Sequence, residues 1–132
     1  MGIKITLIFI LLSSSLAVHA RQVEHVEVIE SGHYDGLAED KDGYAKWCKL
    51  FNPTKEQLIN YFAKAEEADY IGEWLHEHYS PCVASGTVTF KDGSYGTWGL
   101  HSSGLGGVTF QDKNNFGKRK SFLYLDNAWE DE

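Results

Sequence analysis

The sequence predicts an α+β fold in which N-terminal helices pack on a four-stranded antiparallel meander, with one disulfide. Three observations point there. Apolar residues recur at helical spacing between Tyr44 and Ala68, and the period changes to two after Cys82. Asp92-Gly93 stands between two alternating runs as a tight-hairpin signal. The two cysteines, Cys48 and Cys82, fall in different halves, so a bridge between them ties the first helix to the start of the sheet.

Met1 to Ala20 has one early charge, Lys4, then the apolar block Ile5 to Leu12, then the small residues Val18-His19-Ala20. This is the pattern of a cleavable secretory signal peptide. Its apolar core is shorter than the ~20 residues that a bilayer span needs. Cleavage there would start the working chain at Arg21, in a compartment where disulfides survive.

Residues 21–43 read as a flexible N-terminal arm and loop. Val23, Val26, Val28 and Ile29 break strict alternation, which suits an edge strand or an extended arm, and residues 31–43 are rich in Gly and Asp. Asp35, Asp40 and Asp42 do not have EF-hand spacing. Residues 44–132 form a single α+β domain. Tyr44, Trp47, Cys48 and Phe51 mark one face of a short helix, which Asn52-Pro53 ends. Thr54-Lys-Glu-Gln57 is a capping box, and the helix after it runs to about Ala68 with Leu58, Phe62 and Ala65 as its stripe. Residues 70–79 suit either a helical turn or a strand. The strands expected next are Cys82–Phe90, Tyr95–Ser102, Val108–Phe110 and Phe122–Leu125. An acidic tail carrying Trp129 follows.

The full chain has 12 basic and 19 acidic residues. Without Lys4 the counts are 11 and 19, a net charge of −8. A field of that sign disfavours nucleic acid and anionic lipid and attracts basic proteins. The expected partner is therefore a protein, with no nucleic acid and no stable membrane insertion. A Cys48–Cys82 bridge closes about 35 residues, worth about 3.8 kcal/mol in the chain-entropy model.

No strong catalytic motif emerges. His76-Glu77-His78 places two histidines on one side if the segment is a strand, and His101 is a conceivable third metal ligand. No third ligand falls in register, so His76, His78 and His101 are weak metal candidates. Gly99 to Gly104 does not match the nucleophile elbow. Gly104 to Gly107 lacks phosphate-loop spacing. Lys118-Arg119-Lys120 is too short for a nucleic-acid surface and reads as a solvated loop tip. No cofactor is implied.

The run Tyr79-Ser-Pro-Cys82, the Asp92-Gly93 turn, Gly96-Thr-Trp98 and Ser103-Gly-Leu-Gly106 resembles a loosely defined set of small exported bacterial proteins. The likeness spans about residues 47 to 129. It implies a periplasmic binding role, and some exported proteins of this size are toxin-immunity proteins. The set continues past its final Trp into D-P-F, whereas this chain reads Trp129-Glu-Asp-Glu132.

Together these features predict an exported periplasmic protein-binding module, of the immunity or inhibitor kind, that docks a basic toxin or envelope enzyme. Trp129, Glu130, Asp131 and Trp98 are the expected partner-facing residues, since aromatic side chains carry much of the energy at interfaces. The rival readings are a small hydrolase or metal-dependent enzyme, and an envelope structural or stress protein with no tight partner.

Overall fold

The computed structural model describes residues 21–36, 40, 43–70, 72–126 and 129. The expected signal peptide, Glu130 and Asp131 lie outside them. Among the described residues, no helix is long and apolar enough to cross a membrane.

The mixed helix and strand layout holds, but the sheet has six strands rather than four. In chain order the elements are β1 (Val23–Tyr34), α1 (Tyr44–Cys48), α2 (Lys55–Lys64), β2 (Glu66–Asp69), α3 (Gly72–His78), β3 (Cys82–Phe90), β4 (Tyr95–His101), β5 (Leu105–Phe110) and β6 (Arg119–Leu123). The sheet order is β1-β3-β4-β5-β6-β2, with every neighbour antiparallel. The two added strands are the edges.

β1 occupies most of the segment placed in the N-terminal arm, and of the two forms its pattern suits, edge strand or extended arm, it takes the edge strand. Its pairing with β3 slips between Val23 and His25, between Val28 and Glu30, and between Glu30 and His33. Each slip inserts one extra residue, as in a β-bulge, and this accounts for the broken alternation in the sequence. Ile29 is the extra residue of the second bulge and is 72% exposed. Over β3, the backbone of β1 approaches so closely that a Cβ at Gly86 would lie 1.9 Å from the Glu27 carbonyl oxygen. Only glycine fits there.

α2 forms as expected from its cap. The Thr54 hydroxyl accepts from the Gln57 amide at 3.1 Å, and the Gln57 side chain accepts from the Thr54 amide at 2.8 Å. The helix ends at Lys64, earlier than expected, because Glu66–Asp69 pairs with β6 as β2. Leu58, Tyr61 and Phe62 pack from α2 onto the inner sheet face. Phe62 lies edge-on to Phe90 and Phe122, a favoured aromatic geometry.

An ionic clamp closes one margin of this core. The Arg21 guanidinium meets both Glu67 oxygens at 2.8 Å and lies about 5 Å from the centres of the Phe90 and Phe110 rings. The hydrogen bonds that Arg21 donates to Glu67 raise its pKa, although burial opposes the shift. The Arg21 amide also donates to the Phe62 carbonyl at 3.2 Å.

Candidate functional site

With α2 on the inner face, the opposite face of the sheet carries the alternate residues of each strand. Two rows cross it. One reads Ser85, Gly99, Gly107 and Ser121, each paired with the next. The adjacent row reads Thr87, Thr97, Thr109 and Arg119. The first row has no bulky side chain, so it forms a trough, and the threonines make one wall. β2 and β3 lie far apart in the sheet, so the connection between them must pass β6, β5 and β4. α3 makes that passage and touches β5. Tyr70 and Leu75 from this connection, with Ile29 from the β1 bulge, border a groove of about 490 Å³.

The two ends of the groove differ. At one end the Arg119 guanidinium stacks 4.3 Å from the centre of the Tyr70 ring. Lys120 is taken by Asp69 at 2.7 Å, and this hydrogen bond lowers the Asp69 pKa. Arg119 has no carboxylate within ion-pair distance among the described residues. At the other end His101 Nδ1 lies 2.7 Å from the Ser80 carbonyl oxygen. A carbonyl only accepts, so Nδ1 carries the hydrogen of this bond.

Beyond His101 a serine cluster docks α3 onto the β4–β5 turn. Ser80 Oγ lies 3.1 Å from Ser102 Oγ and accepts from the Ser103 amide at 3.1 Å, while Ser103 Oγ donates to the His78 carbonyl at 2.5 Å. Tyr79 donates to Asp35, and burial with that bond pushes its pKa up to about 12.

The residues singled out by the sequence are dispersed. Cys48 and Cys82 form the disulfide. Trp98 is only 2% exposed, and its Nε1–H donates to the carbonyls of Glu27 and Thr87 at 3.2 and 3.1 Å. Its ring is core, not contact surface. Trp129 is likewise a plug at 9% exposure rather than a free tail residue. It packs on Phe51 and Tyr61, donates to the Ser102 carbonyl at 3.1 Å, and accepts from Gln57 at 3.3 Å. His76 and His78 lie on α3. Residues two apart on a helix point away from one another, so the shared side that a strand would have given them is lost. His101 is on β4, engaged by Ser80. No cluster of three or more His, Cys, Asp or Glu suited to a metal occurs among the described residues.

The exposed aromatic surface lies elsewhere. The face Tyr44-Trp47-Cys48-Phe51 divides: Cys48 and Phe51 are buried, whereas Tyr44 is 49% and Trp47 63% exposed. The helix has only five residues and tightens after Trp47, with the Leu50 amide donating to the Trp47 carbonyl. That turn sends Cys48 and Phe51 inward and leaves Tyr44, Trp47 and Leu50 outside. The Asp40 carboxylate holds the start of α1 through the amides of Tyr44 and Ala45 at 2.5 and 3.1 Å. The disulfide holds its end. Helical spacing marked Tyr44 and Trp47 as apolar but not as outward-facing. Nothing in the sequence marked the glycine-floored groove, because Gly99 and Gly107 become neighbours only through strand register.

No protein-family model matches the chain, and no curated protein or solved structure matches it.

Proposed function

We propose that this chain is an exported protein-binding module that engages its partner through the Tyr44-Trp47-Leu50 patch on α1. The observation carrying this reading is an exposed tryptophan in the residue before a disulfide cysteine. A large aromatic side chain on a backbone anchored at both ends loses little freedom on binding, and Trp and Tyr are the residues richest in interface energy. Scattered exposed apolar residues are ordinary, but three large ones on one helix and its exit turn form a patch. The disulfide is consistent with export to an oxidising compartment such as the periplasm.

The chain's net negative charge favours encounter with a basic partner. A toxin or envelope enzyme neutralised by a small, rigid binder has that requirement, and this is the immunity or inhibitor form of the proposal. Lys46 and Lys49 lie on or just after α1, so the acidic field acts from the rest of the molecule, at long range.

The experiment is capture from an envelope extract on immobilised, oxidised residues 21–132, with Trp47→Ala alongside. A stoichiometric protein held by the wild type and lost with Trp47→Ala supports the reading, and loss of the captured enzyme's activity identifies inhibition. A partner held equally by both chains moves the interface away from α1 and overturns the assignment.

A further inference from the structure

We propose that the groove on the open sheet face is a separate binding site for a small organic anion with a flat, apolar body. The anionic group pairs with Arg119, and the body lies on the floor made by Gly99 and Gly107.

The floor comes first. Gly99 and Gly107 are direct cross-strand partners. A Cβ at Gly99 would meet nothing within 4 Å, and one at Gly107 only the Lys120 carbonyl at 3.5 Å. The backbone here therefore has no packing need for glycine. Neither position has the left-handed backbone that would demand it. Glycine in a strand interior weakens the strand and often marks close approach of another group. Two such residues side by side at the centre of a sheet leave a flat surface open.

Charge comes second. In a strongly acidic chain, the one short basic run delivers Arg119 to the end of this trough. Tyr70 orients the guanidinium through its ring face, and among the described residues no carboxylate takes the N–H donors that lie in its plane. Asp69 engages Lys120 but not Arg119. A bidentate oxyanion is the group such a fork matches. Volume comes third: about 490 Å³ lies in the range of sites that enclose small molecules. Tyr70, Leu75 and Ile29 supply apolar sides. The site shares no residue with the α1 patch, so either assignment can fail alone.

The test uses anilinonaphthalene sulfonate, which joins a flat ring system to one sulfonate, and phenylnaphthylamine as the same body without the charge. Fluorescence titration of the oxidised chain is expected to show one saturable site for the sulfonate. Arg119→Gln should weaken it about tenfold, the loss of one charge-assisted contact. Gly99→Val should weaken it at least as much, because the new side chain stands in the trough. Its melting temperature should hold or rise, since the position accepts a Cβ and valine favours strands. Trp47→Ala should leave binding unchanged. Equal binding by Gly99→Val and wild type, or loss of binding in Trp47→Ala, overturns the site. Equally tight binding of the uncharged probe overturns the role of Arg119.

Discussion

Burial decides what an individual residue does, and two tryptophans illustrate how position in the chain misleads. Trp129 stands in an acidic tail yet fills the gap between Phe51 and Tyr61, while Trp47, on an amphipathic helical face, stays outside. Hydropathy patterns register type and spacing and are blind to where a tail folds back. Arg21 is another residue whose role only the fold reveals. Its side chain and that of Glu67 are 20% and 11% exposed, so the pair is largely withdrawn from water. Removing one member leaves the other poorly solvated. Arg21→Ala should therefore cost about 2–3 kcal/mol in urea unfolding, and Arg21→Lys should recover only part of it, because an ammonium cannot make the two parallel contacts. Wild-type stability in Arg21→Ala would show that the clamp is solvated and inert.

At the level of elements, what was legible in the sequence is local chemistry. The Thr54 capping box, the Asp92-Gly93 turn and the alternation through β3 and β4 each carry their own structural cause within a few residues. The turn forms as expected, with Gly93 at φ 94° and Ser94 bonded to Asp92. β2 was hidden because Glu66-Glu-Ala-Asp69 suits a helix by composition and becomes a strand only by pairing with β6. α3 was undecided for the same reason: its form depends on crossing the sheet. The groove depends on β2, on the course of α3 across the sheet and on strand register, so no part of it was visible beforehand. The disulfide was visible, and it links elements 34 residues apart in sequence. Reducing it should lower stability by up to about 3.8 kcal/mol. Since Trp47 sits beside Cys48, its fluorescence should change at reductant concentrations that leave the far-UV signal of the sheet intact. Simultaneous loss of both signals would show that α1 and the sheet unfold as one unit.

For the whole molecule, titrating groups set a window of stability. Burial raises the Tyr61 pKa well above its ordinary value, and Tyr79 is pushed up to about 12. Groups with a raised folded value stabilise fully below the unfolded value, about 10 for tyrosine, and lose that contribution as pH climbs through the folded one. Asp69 and Asp92 are lowered, chiefly by hydrogen bonds from Lys120 and Ser94. Their contribution is present above about pH 4 and disappears as pH falls through the folded values. The urea midpoint should hence form a plateau between these limits and fall on both sides. Tyr61→Phe should lose about 1 kcal/mol at neutral pH, with the hydrogen bond to the Gly104 carbonyl. It should also flatten the alkaline fall while leaving the acid side unchanged. An alkaline fall unaltered by Tyr61→Phe would assign it to other groups. The Arg21 clamp has a further consequence for the life of the protein. A chain that starts at Arg21 keeps both carboxylate contacts and the bond to Phe62, but one shortened to Gln22 keeps neither. Loss of Arg21 from such a chain therefore does the work of a core mutation, and the durability of the fold depends on how faithfully that residue is preserved.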